Sequence, residues 1–543
     1  MLKRLLILSL SLGIFNCEAQ TFTHQDTLRG SITPERAWWD LTFYKLNISV
    51  DPEAKTLKGS NTIQFKTVQP GQVMQIDLQP PMKIEKALQN GRELSIKTDG
   101  NAHFISLLEK QVPGSKNAIE VFYSGQPKIS KNPPWTGGMT WKKDKNGNTF
   151  AATSCQGDGA SLWWPCKDHM YDEPDSMQIN VTVPKDLTAV SNGRLRKTDT
   201  NRNGTKTFHW AVTNPINNYG VNLNIGDYVH FGDKFQGEKG TLDCDYYVLR
   251  DNLEKAKEQF KQVPLMLKAF EYWFGPYPFY EDSYKLVEVP YLGMEHQSSV
   301  TYGNGYRNGY LGNDLSGTGW GLKFDFIIIH ESGHEWFANN ITYKDIADMW
   351  IHESFTNYSE SLYLDYYFGT QAANEYIQGI RKNIANDKPI IGPYNVNQEG
   401  SGDMYYKGAN MLHMLRQIVN NDQKWREILR GLNKDFYHQT VTTQQIENYL
   451  SEKTSIDLQP VFDQYLRGVK IPVLEYKIEK KEVKYRWNNC VAGLNMPVKV
   501  FINDKETWLK PTTNWAELEK LPKKFKLTVD PNFYISATEV KNK

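Results

Sequence analysis

Two histidines and a glutamate have the spacing of a metal site. They stand as His330-Glu331-x-x-His334, directly after a run of three isoleucines. On a helix, positions i and i+4 share one face, so both imidazoles can bind one ion, and Glu331 would lie beside that face, near a bound water. The spacing therefore predicts a helical metal site with Glu331 as its general base.

Glu353 offers a third ligand from what we expect to be a second helix. It follows His334 after eighteen intervening residues. Two histidines and one glutamate leave the fourth tetrahedral position open for water, which is the arrangement of a catalytic zinc site. We therefore expect one zinc ion per chain, although the same ligands accept cobalt or manganese in the test tube.

The elements that must position these residues change along the chain. From about residue 39 to 229 apolar and polar residues alternate, as at Leu46, Ile48 and Val50, which predicts mostly β structure. From about residue 251 to 467 apolar residues recur every three or four positions, which predicts helices, and Pro264 should kink or split the first of them. Alternation returns from residue 473 to 529 and predicts a small β-sandwich.

A loop rich in Gly, Asn and Tyr lies directly ahead of the metal segment, at residues 302–321. Its polar turn-forming composition predicts irregular structure. Two interpretations remain open at this point: a lid over the site, or a passive insertion.

The first residues are typical of an export signal. Lys3 and Arg4 precede an apolar run at residues 5–15 that is too short to cross a bilayer, and small residues then predict a cut between Ala19 and Gln20. Lipid attachment at Cys17 is the alternative. We expect an exported protein, periplasmic or secreted, with no transmembrane segment.

Composition narrows the choice of function. The 543 residues include 63 Lys and Arg against 62 Asp and Glu, a net charge of +1, which argues against nucleic-acid binding. The cysteines that remain after the predicted cut form no Cys-x-x-Cys pair, so a structural zinc ribbon has no support. Disulfides are allowed but not required, and we expect a monomer; the four cysteines are Cys155, Cys166, Cys244 and Cys490.

The metal segment and its surroundings resemble the zinc aminopeptidases that include aminopeptidase N and the leukotriene hydrolase, which are thermolysin-like gluzincin metallopeptidases. Around Glu353 the chain follows the family's Trp-x-x-Glu-x-Phe-x-x-Tyr-x-Glu pattern, with Ser354 where Gly is usual. The resemblance implies that Glu360 orients a zinc-bound imidazole. Further matching residues are Trp336, Phe337, Asn339, Trp350, Phe355 and Tyr358.

The resemblance also implies a site for the free amine of a peptide. Gly293-Met294-Glu295 resembles the family's Gly-x-Met-Glu-Asn signature, whose Glu holds that amine, while Leu292 and His296 depart from the signature. These departures concern the pocket for the first side chain. A buried carboxylate is the group that an ammonium requires as its partner.

Two more residues are assigned by the resemblance. Tyr405 opens a Tyr-x-Lys-Gly segment at 405–408, whose Tyr stabilises the transition state, and such a hydroxyl donor contributes several kcal/mol, typically about 3, to binding the developing charge. Gln156 precedes Trp-Pro-Cys at 164–166, similar to the family segment whose Gln helps bind the amino end.

The predicted fold is multidomain. We expect an N-terminal all-β domain at residues 20–231, a thermolysin-like α/β-α catalytic domain at 232–468, and a C-terminal β-sandwich at 469–543, after the signal at 1–19. Family members often carry a large C-terminal helical domain. We expect this chain to lack it and to have a more open cleft.

The resulting hypothesis is a zinc aminopeptidase that hydrolyses the N-terminal residue from peptides with a free N-terminus. Three alternatives remain: a zinc endopeptidase with the same metal site, an epoxide hydrolase on the same fold, and a non-catalytic peptide-binding protein. Glu295 distinguishes the aminopeptidase hypothesis from the endopeptidase, because an endopeptidase needs no site for an amine. Glu331 and Tyr405 separate the last, because binding alone requires neither.

Overall fold

The structure is a computed structural model that describes residues 21–541. The predicted export signal and its alternative, lipid attachment at Cys17, lie outside the described residues. Within residues 21–541, every helix is too short or too polar to cross a membrane. The four cysteines of this part of the chain are free thiols.

The N-terminal part is built mainly of β-sheets, which confirms the predicted β character of this domain. The helices His24–Gly30 and Pro34–Ala37 depart from the prediction that residues 20–231 are all β. The strand Trp39–Asp51 pairs antiparallel with Thr56–Thr67 and parallel with Ser176–Pro184 in an eight-stranded sheet. In sheet order, its strands are Arg194–Thr200, Thr205–Val212, Ser176–Pro184, Trp39–Asp51, Thr56–Thr67, Lys116–Gly125, Lys83–Gln89 and Arg92–Glu93. A three-stranded sheet contains, in sheet order, Gly71–Asp77, Ala102–Gln111 and Ser95–Asp99. A four-stranded sheet contains Thr188–Val190, Asn224–Gly226, Thr149–Ser154 and Gly138–Lys143.

The middle of the chain combines one mixed sheet with most of the helices. In sheet order, the five strands are Tyr228–Gly237, Gly240–Leu249, Tyr284–Glu288, Val300–Tyr302 and Gly293–Met294. The first of them crosses the predicted domain boundary at 231/232, which remains a prediction. The α-helices of the described chain are His24–Gly30, Pro34–Ala37, Leu253–Gln259, Gln262–Phe274, Phe326–Gly333, Trp350–Phe368, Thr370–Gly379, Tyr406–Val419, Asp422–Asp435, Thr443–Thr454 and Gln459–Leu466. A short parallel pair joins Ile341–Tyr343 to Gln439–Val441.

Strands follow the helix Gln459–Leu466, as the sequence predicts for the tail. They form two sheets. The strands of the first are, in sheet order, Ala516–Leu518, Glu482–Asn488, Val473–Glu479 and Ser536–Glu539, and those of the second are Lys505–Leu509, Val498–Ile502 and Leu527–Val529. Their buried side chains, such as Trp487 and Val498, belong to the same apolar core as the helices. The tail therefore supports the helical part directly.

The first predicted helix is split, as the proline in its pattern requires. Leu253–Gln259 ends three residues before Gln262–Phe274 begins. Pro264 lies in the first turn of the second helix, where its missing N–H is not needed for an intrahelical bond. The break therefore precedes the proline.

Asp325 fixes the start of the helix Phe326–Gly333, which carries His330 and is called here the first site helix. Its side chain accepts a hydrogen bond from the backbone N–H of Ile327 at 3.1 Å and from Asn304 at 2.8 Å. The same carboxylate accepts from the Tyr302 hydroxyl at 2.8 Å, and Asp325 is fully buried. This cap ties the helix to the 302–321 loop.

Replacing this cap should destabilise the protein. We expect Asp325→Ala to cost about 2 kcal/mol, because a capping acceptor is lost and buried donors are left unsatisfied. Asn421→Ala, which removes an exposed cap from Asp422–Asp435, should cost about 1 kcal/mol. Thermal unfolding midpoints of both variants measure the difference. Equal shifts would contradict a special role for Asp325.

Candidate active site

Three side chains on two helices converge on one point. His330 lies in the first site helix, His334 follows its last residue, and Glu353 lies in the first turn of Trp350–Phe368, the second site helix. Glu353 Oε2 is 3.7 Å from His330 Nε2 and 3.4 Å from His334 Nε2. Ligands that surround a tetrahedral zinc ion are about 3.4 Å apart. The three atoms are therefore spaced as zinc ligands.

The state of Glu353 Oε2 tests whether a cation fits here. This oxygen is buried and has no hydrogen-bond partner among the described residues. The other carboxylate oxygen of Glu353, Oε1, accepts a hydrogen bond from Gln156 Nε2 at 3.0 Å. A buried carboxylate oxygen without a partner is costly, and a divalent cation held with the two imidazoles would satisfy it. The residues therefore fit a zinc ion.

The outer nitrogens of both histidines are held by hydrogen bonds. His330 Nδ1 is 2.7 Å from Glu360 Oε1, which also accepts from Asn357 Nδ2 at 2.9 Å. Tyr376 donates to the other oxygen of Glu360 at 2.5 Å. His334 Nδ1 is 3.0 Å from the carbonyl oxygen of residue 337. With Nδ1 donating, each ring presents an unprotonated Nε2 to the ligand position.

Glu295 and Gln156 lie beside the three ligands. Gln156 Nε2 donates to Glu295 Oε1 at 2.7 Å, so Gln156 bridges Glu295 and Glu353. The Tyr219 hydroxyl donates to the same Glu295 oxygen at 3.2 Å, and Asn339 donates to the Glu295 backbone carbonyl at 2.9 Å. Glu295 is only 3% exposed. A buried, oriented carboxylate thus stands next to the metal position.

Glu331 and Tyr405 line the same cavity. Glu331 has no hydrogen-bond partner among the described residues, and the Tyr405 ring lies nearly parallel to the His330 ring, 23° apart with centroids at 6.1 Å. Gly293 makes room for Glu331, because a Cβ at 293 would lie 3.2 Å from Glu331 Cγ and 2.7 Å from Ile327. The glycine is required here by close approach.

The site has a low dielectric and concentrated negative charge. Burial raises the pKa of Glu331 and of Glu295 above the usual glutamate range, although the nearby His334 lowers both. Burial, followed by the Glu353 charge, raises the pKa of Tyr405 well above 10. The Tyr405 hydroxyl is therefore a proton donor at neutral pH.

The cavity that contains these groups has a volume of about 480 Å³. Met294 and Leu292 line it, whereas His296 is fully buried and bonds Thr301 instead, so only the first departure from the signature changes the pocket wall. Tyr310 of the 302–321 loop also lines it. The remaining lining residues are Pro134, Trp135, Gln156, Gly293, Glu295, Leu315, Phe326, Ile327, His330, Glu331, His334, Glu353, Asn357, Glu399, Tyr405 and Tyr406.

Several site residues were not found from the sequence. Tyr219 and Tyr376 reach the two supporting glutamates from distant segments, and no local spacing marks them. Glu399 lines the cavity and has no ion-pair partner among the described residues, and Trp135 is 63% exposed at its mouth. A tryptophan after two prolines in a loop was the one local signal available.

Comparison with known proteins identifies a family. The description "Peptidase M1 N-terminal domain" matches residues 41–219, and "Peptidase family M1 domain" matches residues 258–465. Endoplasmic reticulum aminopeptidase 1 of Mus musculus is 25% identical over 308 residues, which cover 54% of this chain and 32% of that protein. Leucyl aminopeptidase of Saccharolobus solfataricus is 22% identical over 416 residues, which cover 74% and 50%. The chain thus spans a third to a half of these relatives.

Solved structures show the same fold. The crystal structure of an M1 zinc metallopeptidase from Deinococcus radiodurans has a TM-score of 0.68 at 21% identity, covering 81% of this chain and 95% of that chain. A mutant of that peptidase bound to a Tyr-Ser-Ala substrate has a TM-score of 0.67 at the same identity. The two family descriptions together span both the β-rich part and the metal-ligand helices, and the chain belongs to peptidase family M1.

Proposed function

We propose that this protein is a zinc aminopeptidase that removes the N-terminal residue from peptides. The observation that carries the proposal is the bridge from Gln156 to both Glu295 and Glu353, which supports an acidic site for an amine beside the proposed zinc ligands. Relatives named as aminopeptidases support it.

Each residue of the site has a role in this reaction. One zinc ion per chain would be held by His330, His334 and Glu353, and when bound it would lower the pKa of a water to about 7 and polarise the substrate carbonyl. Glu331 takes the proton from the attacking water and passes it to the leaving amine. Tyr405 donates a hydrogen bond to the carbonyl oxygen as that oxygen gains negative charge.

Binding residues make the reaction specific for chain ends. Glu295 holds the substrate ammonium through a charge-assisted hydrogen bond, and the oxygen of Gln156 can accept a second one. Gly293 and Met294 form the adjacent wall. A peptide whose amine is blocked has no positive charge to offset the buried Glu295, so it is rejected.

Export and domain organisation are part of the proposal and rest on the sequence. Lys3, Arg4 and the following apolar run support a location in the periplasm or outside the cell. We propose that the chain acts as three domains divided near residues 231 and 468, with a thermolysin-like arrangement in the middle one.

Zinc should be required for activity. Dialysis against a chelator should abolish hydrolysis, and one equivalent of zinc should restore it. We expect Glu360→Gln to weaken zinc binding by about 10–100-fold, because the His330 imidazole loses a charged partner. Competition with a chromophoric chelator measures this affinity. Glu271→Gln is the matched control, because Glu271 is a buried, hydrogen-bonded carboxylate that does not line the cavity, and it should bind zinc like the wild type. Equal loss in both variants would refute the role of Glu360.

The free amine should be required in the substrate. We expect hydrolysis of aminoacyl fluorogenic substrates but not of their N-acetyl forms. Glu295→Gln should lower kcat/KM for the free forms by about 100-fold, since a buried charge pair is lost. Glu271→Gln controls for the general effect of removing a buried carboxylate outside the cavity. Equal cleavage of blocked and free substrates would identify an endopeptidase instead.

Chemistry and binding should separate in two further variants. Glu331→Gln and Tyr405→Phe should each lower kcat by about 100-fold or more, because proton transfer or charge stabilisation is lost. Zinc content should stay at one per chain, and the inhibition constant of L-alanine hydroxamate should change little. Wild-type protein that binds zinc yet hydrolyses no peptide would favour the non-catalytic binding role.

A further inference from the structure

A segment near the start of the described chain contacts the turn that carries Gln156. This N-terminal strap, residues 23–37, contains the helices His24–Gly30 and Pro34–Ala37. It lies against the turn at residues 155–159, which carries Gln156. No role for this segment follows from the chemistry proposed above.

Arg29 of the strap is the contact between the two. Its guanidinium donates to the backbone carbonyl of Asp158, and to that of Gly157 at 3.0 Å. It also lies 3.8 Å from Asp168, whose carboxylate accepts from the backbone N–H of Ser161 at 3.2 Å. The Arg29 side chain is 18% exposed, so solvent competes weakly for these bonds. Arg29 therefore holds two successive carbonyls next to Gln156.

The turn is held by two internal backbone bonds, from Asp158 N to Gln156 O and from Gly159 N to Cys155 O, and by external donors to its remaining carbonyls. Gly157 and Gly159 have φ of +72° and +91°, positive values that favour glycine. With this backbone conformation the peptide groups of the turn do not form the regular hydrogen bonds of a β-sheet. Gly157 O accepts a second bond from Asn397 Nδ2 at 3.2 Å. Asp158 O likewise accepts a second bond, from Gln79 Nε2 at 2.8 Å. Without Arg29 each carbonyl keeps one neutral donor and loses its charged one, so the turn can shift.

The strap is itself fixed. Arg36 is fully buried, donates to three strap carbonyls and pairs with Asp77 at 2.6 Å. Gly30 approaches the chain at Val396 so closely that a Cβ would lie 2.1 Å from its carbonyl carbon. These contacts anchor the strap on both sides of Arg29, so its guanidinium is presented from a fixed base.

We propose that Arg29 is a positioning residue that sets the affinity of the site for the substrate amine by holding the Gln156 turn. This inference rests on the proposed function. Gln156 donates to both Glu295 and Glu353, so a displaced turn would release both bonds. The three zinc ligands lie on the site helices, which the strap does not hold. Glu353 would lose the Gln156 donor on Oε1, but its other oxygen, Oε2, is the one that lies near the two histidines, so we expect binding to the metal to change little.

Two hydroxamates separate amine binding from metal binding. L-Alanine hydroxamate and propionohydroxamate differ only in the amino group, and both have a metal-binding hydroxamate. In Arg29→Met we expect the inhibition constant of L-alanine hydroxamate and KM to rise about tenfold, with kcat changed by less than about twofold. The inhibition constant of propionohydroxamate should not change. Arg29→Lys, which keeps one charged donor, should recover part of the loss.

Arg194→Met is the matched control. Arg194 also donates to two backbone carbonyls, of Glu281 and Tyr280, and pairs with Asp243, but it does not line the cavity. It should lower the unfolding midpoint without changing the ratio of the two inhibition constants. Gly30→Ala should displace the strap and reproduce the selective loss even if Arg29→Met is poorly folded.

The outcomes distinguish this inference from the proposed function. Equal weakening of both hydroxamates in Arg29→Met, or no weakening of either, would overturn the role of Arg29. If wild-type protein binds the two hydroxamates equally well, the amine site itself is absent and the proposed function fails first. A selective loss in both Arg29→Met and Gly30→Ala would establish the strap as part of the substrate site.

Discussion

Negative charge held out of water is the constraint on which the rest of the site depends. Four carboxyl groups lie in one region, each no more than 8% exposed; they belong to Glu295, Glu331, Glu353 and Glu360. Buried anions are tolerated only where cations or hydrogen-bond donors compensate them. Donors surround Glu360 completely and Glu295 in part. The two positions that remain, beside Glu353 and between Glu295 and Glu331, are where the proposed metal and substrate amine add positive charge.

The two halves of the site belong to different apolar cores. The core of the helices includes Ile328 and Phe355 and supports the metal ligands, whereas the N-terminal core includes Cys155 and Met294, the neighbours of Gln156 and Glu295. Each half therefore rests on a densely packed core, including the turn that carries Gln156. The distance between the two halves decides whether one peptide can bind with its amine at Glu295 and its first carbonyl at the proposed metal position.

The sequence predicted what lies close along the chain. The spacing of His330 and His334 specified one helical face, alternation specified the β-rich half, and Pro264 marked the split helix. Contacts that close over long sequence separations were not predictable: Tyr219 and Arg29 reach the substrate side from other elements, and no periodicity records which turn they will meet. The assignments of Glu295, Gln156 and Tyr405 came from resemblance, because a single Glu, Gln or Tyr has no spacing that reveals its role.

Ser354 has a consequence beyond its own hydrogen bond. Its hydroxyl donates to the carbonyl of Met404 at 2.6 Å, and a Cβ at Gly408 would lie 1.9 Å from that hydroxyl oxygen. Ser354, which follows the ligand Glu353, therefore packs directly against Gly408 in the segment that carries Tyr405. With Ser at position 354, position 408 is restricted to glycine, so an engineered transplant of the Tyr405 segment must keep that glycine.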